Sequence, residues 1–144
     1  MQLIEITDAT GTVQAPLWLA RSESVHRQLR PALVDYGATL RRVFATGGRM
    51  VVATRDEAVL GVAVFRVSEN TANGRNLYVD DLVTDNDRRS QGVGHALIEW
   101  LERRAKQEDC AVLHLDSGTR RNAAHRFYLR ERFDIASFHF SKLL

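Results

Sequence analysis

Two hydrophobic periods run through the chain, and their succession predicts its elements. Gln2 to Thr7 alternates apolar and polar positions, as a half-buried strand does. Pro16 to Leu29 reads as a helix with Leu17, Val25 and Leu29 among its apolar positions, and Pro31 interrupts it. A second helix is predicted from Ala32 to Phe44, with Leu33, Leu40 and Phe44 inward and Gly47-Gly48 at its end. Arg49 to Arg55 and Ala58 to Ser68 are strands around the turn Asp56-Glu57. The second contains Val59-Leu60-Gly61-Val62-Ala63-Val64-Phe65, which is nearly all apolar and belongs in a sheet covered on both faces. Asn70 to Asn76 is a polar loop, and Leu77 to Thr84 is another strand. Val93 to Asp109 is a helix with Val93, Leu97, Leu101 and Ala105 on one stripe. A short strand from Ala111 to Leu115, a helix from Ala123 to Glu131 and a final strand from Ile135 to Leu143 complete the set.

The order is strand, two helices, three strands, helix, strand, helix, strand. It predicts an α/β (α+β) layer in which helices cover a mixed sheet. No repeat, linker or low-complexity stretch divides the 144 residues, so a single domain over 1–144 is expected. No apolar run approaches the ~18 residues of a membrane span. The start, Met1-Gln2-Leu3-Ile4-Glu5-Ile6, lacks the basic and long apolar parts of a signal peptide, so a cytoplasmic location is expected. The lone Cys110 has no disulfide partner and reads as a small buried filler. A net charge of +2 is too small to argue for nucleic acid. The five histidines show no metal-ligand spacing, and His114, inside an apolar strand, reads as a hydrogen-bonded core residue.

The arginines change this bland picture because they cluster: Arg88-Arg89 before a glycine pair, and Arg120-Arg121 before a later helix. In Leu82-Val83-Thr84-Asp85-Asn86-Asp87-Arg88-Arg89-Ser90-Gln91-Gly92-Val93-Gly94-His95 a strand ends, a polar turn follows, and two glycines open a helix. The first turn of a helix leaves backbone N–H groups unpartnered, and with the helix dipole they attract an anion. Gly92 and Gly94 let the backbone approach phosphates, and Arg89 adds a permanent charge. The segment is neither a P-loop, lacking Gly-Lys-Ser/Thr, nor a dinucleotide fingerprint, lacking the third glycine.

Arg-x-x-Gly-x-Gly after a strand with Asp-Asp-Leu-Val, followed downstream by Ala-His-Arg-Phe-Tyr, resembles the GCN5-related N-acetyltransferases (GNAT). The order of elements is similar over nearly the whole chain. The resemblance implies a mixed central sheet whose parallel strands Leu77 to Thr84 and Ala111 to Leu115 splay apart at an acetyl-CoA site. It implies that Leu82, Val83 and Thr84 pair with the pantetheine arm, and that Arg89, Ser90, Gln91, Gly92, Val93, Gly94 and His95 wrap the pyrophosphate.

The implied reaction is transfer of an acetyl group to a primary amine of a small molecule, by direct attack in a ternary complex. An alkylammonium titrates near ~10.4, so the attack needs a base, and the departing thiolate needs a proton. By the resemblance Tyr128 is the acid. A tyrosine hydroxyl stays protonated at neutral pH and suits that role. The family register selects Asp80 as base or ammonium anchor, with Tyr78 beside it. Strict alternation puts Tyr78, Asp80 and Leu82 on one face and Asp81 on the other, unless a bulge intervenes. Tyr78-Val79-Asp80-Asp81-Leu82 also looks like the Tyr-x-Glu-Asp stretch of spermidine/spermine acetyltransferases. Asp81 and Glu69 are further candidates for holding the acceptor.

Two positions depart from the family. Where relatives carry an asparagine seven residues before the acid tyrosine this chain has Arg121; either Asn122 is the replacement or Arg121 reaches a cofactor phosphate. Where relatives often have glycine in a helix C-cap it has Arg132, at a cost of roughly 1 kcal/mol if the left-handed conformation is kept. Acetyl-CoA as co-substrate, no metal, no nucleic acid and no membrane complete the expectation. The rivals are a protein or peptide N-acetyltransferase and a catalytically silent acetyl-CoA-binding module. The last strand, with Phe138, Phe140 and Leu143, suits a homodimer contact, and an ordinary sheet edge explains it equally.

Overall fold

Val59 to Phe65 contains no charged side chain, and it occupies the middle of a sheet. The computed structural model describes all residues, Met1–Leu144. They form β1 (Gln2–Glu5), α1 (Pro16–His26), α2 (Tyr36–Ala45), β2 (Arg49–Arg55), β3 (Ala58–Asn70), β4 (Gly74–Thr84), α3 (Val93–Gln107), β5 (Val112–Leu115) and α4 (Asn122–Arg130), with a 3₁₀ turn at Asn86–Arg88. The chain packs as two units, Met1–His114 and Leu115–Leu144.

In the first unit the strands lie in the order β1-β2-β3-β4-β5. β1 to β4 are antiparallel neighbours, and β5 runs parallel to β4, so the sheet is mixed. One face carries Val52, Val62, Val64 and Val83 against Leu19 and Val25 of α1 and Tyr36, Leu40 and Phe44 of α2. The opposite face takes α3, with Phe65 of β3 edge-on to Trp100 at 5.6 Å between ring centroids. The predicted α3 stripe is the buried one: Val93, Leu97, Leu101 and Ala105, joined by Ile98. Burying a leucine or isoleucine contributes roughly 1.5–3 kcal/mol, so this stripe is a large part of what fixes α3. Gly61 makes that contact close, because a Cβ there would lie 2.8 Å from Val93 Cγ1.

Several expectations are corrected. α1 ends at His26 rather than Leu29, because the next amides tighten onto Val25 and His26 carbonyls. Leu17 is 59% exposed, and the inward face of α1 is Leu19, Ser22, Val25 and His26. α2 starts at Tyr36 rather than Ala32, because the Asp35 side chain caps it by accepting from Ala38 N at 3.1 Å. β3 continues to Asn70 and β4 begins at Gly74, so Glu69 lies in a strand opposite Arg75 and not in a loop. The final strand from Ile135 to Leu143 is absent: no regular structure follows α4, and Phe138 and Phe140 are exposed. Alternation predicts which face a strand would present, but a strand also needs a neighbour for its backbone hydrogen bonds.

Helix α4, in the second unit, ends in a Schellman motif. Phe133 N donates to Tyr128 O at 3.0 Å and Arg132 N to Leu129 O at 3.1 Å. Arg132 keeps the left-handed conformation, with φ 65°.

Candidate active site

β4 pairs with β3 in regular register from Gly74 to Val79, and again from Asp81 to Thr84. Between these stretches Phe65 faces Val79 while Val64 faces Asp81, so Asp80 is an extra residue in a β-bulge. Paired residues share a face. The bulge therefore puts Asp81 on the side of Val64, where Tyr78 already lies opposite Arg66. Simple alternation would have sent it to the α3 side.

That side opens into a cleft of about 410 Å³ in the first unit, whose lining includes Tyr78, Asp80, Asp81, Arg30 and Arg66. The carboxylates have different partners. Asp80 Oδ2 accepts from Arg66 Nε at 2.9 Å, and Arg66 also donates to Thr46 O at 3.1 Å. Asp81 Oδ2 meets His26 Nε2 at 2.8 Å, and its other oxygen takes the forked guanidinium of Arg30. Burial would push the Asp81 carboxyl up, but the hydrogen bonds from His26 and Arg30 prevail and hold it below its ordinary value. Tyr78 stacks edge-on to His114 at 5.1 Å, and His114 Nε2 meets Asn76 Oδ1 at 3.0 Å, so His114 is hydrogen-bonded as expected. Glu69 is exposed, paired across from Arg75, and does not line this cleft.

Past the bulge, Leu82, Val83 and Thr84 pair with Ala63, Val62 and Gly61 of β3. On the other side of β4, Ala111 N donates to Arg75 O, and β5 spans only Val112–Leu115. A parallel strand that starts beside Arg75 and is this short stops well before Leu82. The end of β4 therefore has no β5 partner. The loop that follows is held by Gln28, whose amide accepts from Asn86 N at 2.9 Å and donates to Asp85 Oδ1 at 3.1 Å.

Arg89, Ser90, Gln91 and Gly92 are exposed, and Gly92 opens α3 with φ 78°, no side-chain cap and nothing within 4 Å of a Cβ built on it. α3 thus begins at an exposed glycine with no side-chain cap, and the unpartnered amides of such a first turn can hold an anion. Ser90 is also left-handed, at φ 61°. His95 lies on the first turn of α3, 3.7 Å from Glu99.

In the second unit Tyr128 lies on α4 with its ring 5.4 Å from Phe127 and 5.7 Å from Phe133. Burial pushes its hydroxyl up from the ordinary value, against a smaller opposing effect of Arg121, so it remains a proton donor. Asn122 is the first residue of α4, after Arg121 at the cap position. Cys110 is only partly buried, not the buried filler expected, because it sits in the turn after α3, outside the core; burial still pushes its thiol up, which keeps it protonated.

A bulged strand, a cleft lined by two carboxylates on one side of it, and an uncapped glycine turn at its end make up this arrangement. The family description "Acetyltransferase (GNAT) family" matches residues 16–133. The chain belongs to the GNAT acetyltransferase family. It is 36% identical over 66 residues to the aminoalkylphosphonate N-acetyltransferase of Salmonella typhimurium, covering 46% of this chain and 43% of that protein. It is 37% identical over 94 residues to the uncharacterized N-acetyltransferase YhdJ of Bacillus subtilis, covering 55% of this chain and 66% of that one. The matched stretches thus span less than two thirds of either relative. The solved structure of AAC(6')-Iy in complex with the bisubstrate analog CoA-S-monomethyl-acetylneamine superposes with a TM-score of 0.81 over 99% of this chain and 97% of that one. At 15% identity it speaks for the GNAT fold alone.

Sequence reasoning missed His26, Arg30 and Arg66, the side chains that bind the two carboxylates of the cleft. A signal existed for the first: Ser22 and His26 are four apart on the same stripe as Leu19 and Val25, so a polar pair faces inward.

Proposed function

We propose that this chain is an acetyl-CoA-dependent N-acetyltransferase acting on the primary amine of a small molecule. The observation that carries the reading is the bulge at Asp80. It turns both carboxylates into one cleft, directly before the strand end at Leu82 to Thr84 that has no β5 partner. A cleft of about 410 Å³ is the size of a small-molecule site.

The residues that would hold the co-substrate are Leu82, Val83 and Thr84 for the pantetheine arm and Arg89 to His95 for the pyrophosphate, with Asn122 near the arm. Acetyl-CoA supplies an activated acetyl thioester. The open turn at Gly92, where no Cβ occupies the space, fits a phosphate group. The chain's own part is to prepare the amine and the leaving group. Asp80 takes the ammonium proton or holds the ammonium while it is lost, with Tyr78 and Asp81 shaping the cleft. Tyr128, protonated well above neutral pH, donates to the departing sulfur. A relative, the aminoalkylphosphonate N-acetyltransferase of Salmonella typhimurium, is named for a small amine, which supports a small amine as acceptor.

The test measures thiol release from acetyl-CoA against polyamines, amino acids, aminoalkylphosphonates, aminoglycosides and peptides. Release with a small amine is expected. Release with peptides alone would favour the protein-modifying reading, and tight coenzyme A binding without any release would favour a silent binding module. Thermal stabilisation by coenzyme A should fall in Arg89→Ala; equal stabilisation would refute the phosphate-loop assignment.

A further inference from the structure

From the wall of the cleft, at Asp81 and His26, a chain of hydrogen bonds runs into the core. Ser22 Oγ lies 2.7 Å from Leu19 O and 3.0 Å from the Tyr36 hydroxyl. That hydroxyl lies 3.0 Å from His26 Nδ1, and His26 Nε2 lies 2.8 Å from Asp81 Oδ2. Ser22 and His26 have no exposed surface, and Tyr36 is 4% exposed, so no water shares these contacts from outside.

The protons can be counted. Both ends of the chain, a backbone carbonyl and a carboxylate, only accept. Four contacts between them need four protons. The Ser22 and Tyr36 hydroxyls supply one each, Ser22 to Leu19 O and Tyr36 to Ser22. The remaining two must sit on the imidazole of His26. Leaving one out would press two lone pairs together at a hydrogen-bonding distance inside the core, where such a contact costs most. Moving a proton onto Asp81 is opposed by Arg30, which forks onto its other oxygen. Burial pushes the Tyr36 hydroxyl up to about 12, so it keeps its proton.

We infer that His26 is a positioning residue of the acceptor cleft: a buried imidazolium that donates to Tyr36 and Asp81 together and fixes Asp81 as a spent carboxylate. The charged and titratable groups around it are Glu23 on α1, Arg27 and Arg30 after it, Tyr36 on α2, Arg66 on β3, and Tyr78, Asp80 and Asp81 on β4. Asp81 is answered by two cations, His26 and Arg30, whereas Asp80 has Arg66. The incoming ammonium is thereby left to Asp80. His26 borders the cleft but has no exposed surface to offer the acceptor. It acts through Asp81, tying the bulge of β4 to α1. This role rests on the N-acetyltransferase reading above; the protonation of His26 does not.

The experiment uses the whole chain with ¹⁵N-labelled histidine and a long-range ¹H–¹⁵N correlation at about pH 7.5, above the ~6.5 of a free imidazole. His26→Gln assigns the signals. Both ring nitrogens of His26 are expected in the protonated range; one protonated and one bare nitrogen overturns the inference. Tyr36→Phe tests the positioning role in a variant that keeps the shape of the core. There the amine KM should rise about tenfold with the acetyl-CoA KM unchanged. An unchanged amine KM overturns that role. If no amine is acetylated by the unaltered chain, the functional reading fails, and the ring protons of His26 still decide the buried network.

Discussion

Asp80 and Asp81 are adjacent in the chain and yet line the same cleft, because the bulge of β4 between Val79 and Asp81 cancels the alternation that would separate them. They then part company chemically: Asp80 pairs with Arg66 near the mouth, and Asp81 turns inward to His26 and Arg30. Removing each should have a different consequence. Asp80→Asn is expected to lower kcat roughly 10²-fold with little loss of stability, as for a general base. Asp81→Asn should leave Arg30 without its counter-charge and disturb the buried contact to His26, at a cost of about 2–4 kcal/mol of stability. Steady-state kinetics and urea denaturation of both variants check this; a stability loss confined to Asp80→Asn would reverse the two roles.

Asp81 also predicts part of the acid limb of stability. Its folded carboxyl lies below the ordinary 3.8, so the native state binds fewer protons than the unfolded chain. Its contribution is complete above that ordinary value and is lost as pH falls through the lower, folded one. In Asp81→Asn the loss of stability below about pH 4 should be shallower than in the unaltered chain. Denaturation midpoints measured at a series of pH values give the two slopes, and identical slopes would remove Asp81 from the account.

Tyr128 is half-buried beside Phe127 and Phe133, and its hydroxyl makes no contribution to that ring packing. Tyr128→Phe should therefore fold as well as the unaltered chain and bind coenzyme A with the same affinity. Its kcat should fall by roughly 10² if the hydroxyl protonates the leaving sulfur. Unchanged turnover would take the acid role away from it.

Arg132 holds a left-handed conformation in the Schellman end of α4, with Phe133 packed back on Tyr128. Glycine adopts that conformation without the Cβ penalty. Arg132→Gly is expected to stabilise the chain by about 1 kcal/mol, a rise of roughly 2–4 °C in Tm. A lower Tm would mean that the arginine side chain contributes more than its backbone costs.

Much of this protein was legible as pattern. The apolar run of β3, the stripe of α3, the glycines that end α2 and the glycine turn before α3 each carry a local physical signature: period, absence of charge, or a backbone that only glycine adopts freely. Those features set the element order and pointed to the family. Tertiary structure decided the rest, because it depends on partners far away in sequence. Ser22 and His26 look like interruptions of an amphipathic helix until Tyr36 and Asp81 arrive to bond them. The bulge at Asp80 is a mismatch between two strands, and neither strand alone records it. The tail from Ile135 to Leu143 shows the converse, a strand-like alternation that no neighbouring edge converts into a strand. Periodicity fixes which side of an element is apolar; the charge and hydrogen bonding of a cleft are fixed only when its walls meet.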